Sequence, residues 1–166
     1  MTNGVSQMNE GKRFEQNFKK SIPADVYCLR LTDSSPAGFG ENENMRFSIQ
    51  SPFDFILYKN GKMFAVELKS TKGKSISFSG SSPMIKPHQV KALTQAAKFG
   101  IIAGFVFNFR GNGTYFLTIQ KFNDFVDSTT RKSIDLSHCK LEGIEMYETK
   151  LKVNSMYATE HLFGVI

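Results

Sequence analysis

The sequence predicts an α/β fold built on a mixed sheet, and three observations carry that prediction. Two strand-like runs, FDFILY over residues 53–58 and MFAVELK over residues 63–69, flank Asn60-Gly61, a strong two-residue hairpin signal. A helix with one apolar stripe follows over residues 86–99. Directly after it comes GIIAGFVFNF over residues 100–109, an uninterrupted apolar run of the kind a central buried strand requires. Helix, strand, loop, hairpin, helix, strand, strand is the order of an α/β domain.

Residues 1–10 read as a disordered tail. Residues 11–21 carry Phe14 and Phe18 four apart with charges on the other face, an amphipathic helix stopped near Pro23. Residues 26–31 (VYCLRL) form a strand candidate. Residues 32–51 are polar, contain Pro36, Gly38 and Gly40, and read as a short projecting loop. After the hairpin, residues 70–82 are rich in Ser, Gly and Lys, with a short strand expected around 75–78. In the helix over 86–99, Val90, Leu93 and Ala97 make the stripe, Pro87 suits the first turn and Gly100 stops it. Gly111-Asn112-Gly113 reads as a turn, residues 114–119 as a strand and residues 121–128 as a short helix. The final forty residues show no clear period. Residues 11–166 are expected to make one domain.

At 166 residues with 40% hydrophobic and 22% charged content, the chain is long enough for its own core and too apolar for disorder. Phe is abundant at 16 and Trp is absent. No apolar run is long enough to span a bilayer, so no membrane partner is expected, and no signal peptide is visible. Two isolated cysteines, Cys28 and Cys139, fit a reducing, cytoplasmic setting. The net charge of +6 is unevenly spread. Between Leu68 and Asn123 there is no Asp or Glu, while that stretch carries Lys69, Lys72, Lys74, Lys86, Lys91, Lys98, Arg110 and Lys121. Setting those eight aside leaves 13 cations against 15 anions elsewhere, so the whole excess follows the hairpin. A one-sign patch of this kind suits a polyphosphate partner.

The chemistry is concentrated in the hairpin, where Ser51-Pro52-Phe53-Asp54 precedes Glu67-Leu68-Lys69. Counting outward from the turn, Tyr58 faces Met63, so Asp54 falls opposite roughly Glu67. Glu67 and Lys69, two apart, share a face. Two carboxylates and an ammonium then converge at one end of the hairpin, which suits a hard divalent cation beside a reaction centre. Charges that merely pair across two strands are the simpler alternative for such a triple.

These residues resemble the PD-(D/E)XK nuclease superfamily, and within it the RecU-type Holliday junction resolvases, also called penicillin-binding protein-related factor A. The resemblance covers roughly residues 11–136. It rests on Gly11-x-x-Phe14-Glu15, on Asp54 with Phe64-x-x-Glu67-x-Lys69, on Lys86-x-His88-Gln89, and on GIIAGFVF from Gly100, with Tyr115-Phe116-Leu117 and Arg131-Lys132-Ser133-Ile134 beyond. It implies a restriction-endonuclease-like mixed central sheet flanked by helices. It also implies a homodimeric, metal-dependent DNA endonuclease that hydrolyses phosphodiester bonds at four-way junctions in recombination and repair. On this resemblance Asp54 and Glu67 ligate Mg²⁺, for which Mn²⁺ substitutes. Lys69 stabilises charge at phosphorus or orients the attacking water. Gln89 completes the metal shell, and Glu15 reaches the same site from the first helix. Lys72, Lys74, Lys86, His88 and Lys91 are the expected DNA contacts. Two departures from the family pattern bear on the metal site and on substrate choice. Pro52 stands where a hydroxyl residue is usual, and residues 32–51 hold Asp33, Glu41 and Glu43 against Arg46 alone, where the family has a basic stalk. Two alternatives therefore stay open: a related nuclease acting on duplex, flap or single-stranded DNA, and a DNA-binding protein without catalysis.

Overall fold

The computed structural model describes residues 9–33 and 50–164. Helix α1 (Glu10–Ser21) leads into edge strand β1 (Tyr27–Arg30). The hairpin strands are β2 (Phe55–Lys59) and β3 (Lys62–Thr71), followed by the short β4 (Ser75–Ser77). Helix α2 (Pro87–Lys98) crosses back to β5 (Ile102–Phe109), and β6 (Gly113–Thr118) runs straight into α3 (Ile119–Ser128). The C-terminal part holds β7 (Ser133–Asp135), α4 (Leu136–Glu142), β8 (Ile144–Glu145), β9 (Glu148–Lys150), β10 (Ser155–Tyr157) and α5 (Glu160–Gly164). The main sheet has the order β1-β2-β3-β5-β6-β8. Its pairs are antiparallel except β3 with β5, which are parallel and joined through α2, the connection that parallel neighbours need. The result is the mixed α/β sheet with flanking helices that the sequence predicts.

The hairpin register is set by its turn. Asn60 and Gly61 have φ of 50° and 80°, the left-handed pair that a two-residue turn demands and that this dipeptide adopts at low cost. Tyr58 pairs with Met63 and Phe55 with Val66, so one further step sets Asp54 opposite Glu67.

Side chains alternate across β3 and feed two cores. Ala65 joins Leu93 of α2, Phe105 and Phe107 of β5 and Phe122 of α3 on one face. Phe64, Val66 and Leu68 join Phe14 and Phe18 of α1, Phe55, Val106 and Phe116 on the other. Eight phenylalanines are among the most deeply buried side chains, which accounts for the Phe-rich, Trp-free composition. Each contributes roughly 1.5–3 kcal/mol by leaving water.

Several boundaries differ from the sequence expectation, each for a local reason. Helix α1 starts at Glu10 because the Asn9 side chain accepts from the Gly11 N–H at 2.9 Å, so residue 10 is no part of a tail. Ile119 leaves the strand for α3, which Thr118 caps. Strand β4 is shorter than expected and pairs with β7, in the part of the chain that shows no period. The C-terminal elements are two to seven residues long, too short for any repeat to register. Most of the expected tail (residues 1–8) and of the projecting loop (residues 34–49) lies outside the described residues. The two ends of that loop are clasped: Asp33 Oδ1 accepts from the Ser51 backbone N–H at 2.7 Å and from its hydroxyl at 2.9 Å.

Candidate active site

Strand β2 stops one residue short of Asp54, and that shortfall positions the acid. The Asp54 N–H still donates to Val66 O at 3.1 Å, and its carbonyl accepts from Leu31 at 2.8 Å, so its backbone continues the ladder on both sides. Beyond it β3 has no β2 partner. The Asp54 carboxylate takes the place of one: Oδ2 accepts from the Leu68 N–H at 2.8 Å. The aspartate is thus pinned across the strand from Glu67.

Glu67 points from β3 toward α2 and is only 3% exposed. Two donors meet at the same oxygen. Lys69 Nζ lies 2.8 Å from Oε1, and Gln89 Nε2 donates to it at 2.5 Å. The orientation of the Gln89 amide is decided by its other end, where Oε1 accepts from the Lys86 backbone N–H at 3.0 Å. A backbone N–H can only donate, so the amide oxygen must face it and the NH₂ must face Glu67. Gln89 therefore caps the first turn of α2 and clamps the carboxylate with one side chain.

Burial dominates the electrostatics. It raises the Asp54 carboxyl above its usual range, against the opposing Leu68 hydrogen bond, and the charge of Glu15 adds to the rise. Burial, then the charge of Asp54, raises Glu67 to about 7, against the attraction of Lys69. Two buried carboxylates that destabilise one another in this way call for a cation beyond the single ammonium beside them. A hard divalent cation that keeps several waters and takes few protein ligands would fit such a pair. Among the described residues no cluster of three or more His, Cys, Asp or Glu side chains is placed to hold a metal.

A cavity of about 220 Å³ exposes the pair, lined by Asp54, Glu67, His88 and Gln89 together with Asp33, Gln50 and Ser51. Asp33 and Ser51 are walls of the cavity to which sequence reading assigns no role, although Ser51 opens the motif that ends at Asp54. Asp33 reads there only as one of several loop acids, and its signal emerges once the Ser51 clasp forms. The two hydrogen bonds from Ser51 hold its carboxyl below the usual range, with a further contribution from the charge of His88. Ser51 also brings a hydroxyl to the cavity wall, where it donates to Asp33.

The other expected residues fall in three places. Glu15 stands on α1 and pairs with Arg30, lining a different depression with Lys12, Gln16 and Lys19. Its charge reaches Asp54, but it is no wall of the Asp54/Glu67 cavity. Lys86 and His88 open α2 beside the cavity, Lys86 half-buried and His88 exposed. Lys72 and Lys74 are exposed in the bend between β3 and β4, and Lys91 is exposed one turn along α2 from His88. Among the described residues, Lys72, Lys74 and Lys91 make no ion pair.

Comparison with known proteins gives this geometry a context. The chain is 34% identical over 172 aligned positions to the SPbeta prophage-derived uncharacterized protein YotM of Bacillus subtilis (strain 168), covering 94% of this chain and 86% of that one. Among solved structures it is similar to Archaeoglobus fulgidus Hjc, a Holliday junction resolvase from an archaeal hyperthermophile. The match has a TM-score of 0.50 at 24% identity over 81% of this chain and 95% of that one, a likeness of fold. The sheet is thus of the restriction-endonuclease-like kind. Residues 10–161 match the model of the Recombination protein U (RecU) family, and the chain belongs to that family.

Proposed function

We propose that this chain is a Holliday junction resolvase, a metal-dependent endonuclease that nicks DNA at four-way junctions in the cytoplasm. The observation that carries the proposal is the convergence of Asp54, Glu67 and Lys69 at the end of the β2–β3 hairpin, with Gln89 clamping Glu67 from α2. Asp54 and Glu67 would hold Mg²⁺, or Mn²⁺ in its place. Bound there, the ion would polarise the scissile phosphate and lower the pKa of a bound water. The remaining work falls to the chain itself. Lys69 balances charge gathering at phosphorus. Gln89 enters the metal shell indirectly, by fixing the Glu67 carboxylate. Glu15 acts through its charge on Asp54 and through Arg30. Lys72, Lys74, Lys86, His88 and Lys91 hold backbone phosphates and align the strand.

Two nicks in a near-symmetric junction need two sites, which a C₂ homodimer supplies. One sheet face supports this reading. Tyr27, Tyr58 and Met63 form a row across β1, β2 and β3, all exposed, with Leu29 in the next row and exposed Phe99 beside them. That apolar face continues into the Asp54/Glu67 position along the same strands.

The test is cleavage of a labelled four-way junction beside its matching linear duplex, in Mg²⁺ or Mn²⁺, by the wild type and by Asp54→Asn. Paired nicks in the junction alone, reduced by roughly three orders of magnitude or more in the variant while junction binding persists, are expected. Equal cutting of both substrates would sink junction selectivity. No cutting by the wild type under either metal would sink the enzyme.

A further inference from the structure

On the α1 face of the sheet, away from Glu67, a second cavity of about 330 Å³ opens between α1, the end of β5 and the β9–β10 hairpin. Four cations line it, Arg13, Arg110, Lys150 and Lys152, against two carboxylates, Glu10 and Glu148. Glu10 pairs at long range with both arginines, while Lys150 and Lys152 make no ion pair among the described residues. Glu148 Oε1 accepts from the Ser155 hydroxyl at 2.5 Å. Glu10 lies 3.9 Å from Arg13 and 3.7 Å from Arg110, both beyond hydrogen-bond distance. Arg13 Nη2 donates to the Val153 carbonyl at 2.7 Å, which fastens α1 to the loop between β9 and β10 and shapes the wall. Arg110 Nε is buried without an acceptor among the described residues. A buried donor in that state is unfavourable; the side chain as a whole is 36% exposed, and this exposed part is what an incoming oxyanion can reach.

The position of the cavity says which oxyanion. Ser70 lines it, and Ser70 is the neighbour of Lys69 on β3. Consecutive strand residues face opposite ways, so the candidate active site and this cavity flank one end of the same strand. The Arg110 backbone N–H donates to Thr71 O at 2.9 Å, which ties the cavity to the residue just before Lys72. Lys69, Lys72 and Arg110 thus follow one another around the ends of β3 and β5. A spaced series of cations suits an extended chain of regularly repeating anions, and the planar guanidinium fork suits phosphate.

We propose that this cavity binds a backbone phosphate of a DNA strand passing over the ends of β3 and β5, with Arg110 as the principal donor. The proposal rests on the nuclease reading above and adds to it a contact on the opposite face of the sheet. Glu10 competes with that phosphate for Arg110, and Lys150 and Lys152 add charge at the mouth.

The experiment is fluorescence-anisotropy titration of a labelled four-way junction with the full chain in EDTA, at several salt concentrations, for wild type, Arg110→Gln, Lys152→Gln and Glu10→Gln. Arg110→Gln is expected to weaken binding about tenfold and to lower the salt slope by about one. Lys152→Gln should shift both in the same direction by less. Glu10→Gln should tighten binding, a gain that loss of packing does not produce. Should Arg110→Gln prove poorly folded by thermal melting, the two exposed substitutions decide. Wild-type binding that none of the three variants alters would overturn the cavity proposal and leave the nuclease reading intact. A wild type that does not bind DNA would overturn both.

Discussion

Glu67 carries the sharpest consequence at the scale of single residues. In the metal-free protein its folded pKa of about 7 lies above the ordinary 4.5, so the folded state holds this proton more tightly than the unfolded state does. The associated stability is complete below about 4.5 and is lost as pH rises through about 7. The loss is on the order of 3 kcal/mol by pH 8. Asp54 acts in the same direction. In EDTA the wild type should therefore melt at a distinctly lower temperature at pH 8 than at pH 5. Glu67→Gln, which cannot ionise, should flatten that dependence and melt above the wild type at pH 8 while losing nicking. A variant that melts below the wild type at pH 8 would mean that the carboxylate contributes more by its hydrogen bonds than it costs by its burial.

Elements are placed by close approach as much as by periodicity. Gly104 is the third residue of β5, and a methyl group there would lie 2.8 Å from the Phe116 ring of β6, in addition to meeting the backbone carbonyl of Leu117. The glycine lets the Phe116 ring close over the central strand on the α1 face. Gly104→Ala should cost about 1–3 kcal/mol, read by urea denaturation at constant m value. A neutral result would mean that β5 and β6 separate freely at this point. The hairpin and α2 behave alike in one respect: each presents its functional group where regular pairing ends. Asp54 lies one residue before β2, and Gln89 lies in the first turn of α2, where backbone groups without partners hold the side chains in place.

For the whole molecule, the excess positive charge and the exposed apolar face are the two surface properties with function to explain. Replacing Lys72 and Lys74 together by Ala should lower the salt slope of DNA binding by about 2 and weaken binding to junction and duplex alike, because phosphate contacts carry no sequence information. An unchanged slope would remove the Ser/Gly/Lys bend from the interface. The face of Tyr27, Tyr58 and Met63 predicts self-association. Light scattering should give twice the chain mass for the wild type, and Tyr58→Lys should shift it toward the monomer. A wild-type monomer at micromolar concentration would remove that face from the dimer reading.

The hairpin, its register, the Asp54–Glu67 opposition and the central apolar strand were all legible in the sequence. Turn chemistry at Asn60-Gly61 and a period of two act within a few residues, and position along a strand follows from counting. The family resemblance added the role expected of Gln89, but its contact with Glu67, 22 residues away, required α2 to cross over β3. The clasp of Asp33 with Ser51, the burial that lifts Glu67, the separation of Glu15 onto the α1 face and the basic cavity beside Arg110 were likewise decided only by the tertiary structure. Each depends on elements distant in sequence meeting across a sheet. The short strands and helices of the C-terminal part form through such meetings, since they are too brief to carry a pattern of their own.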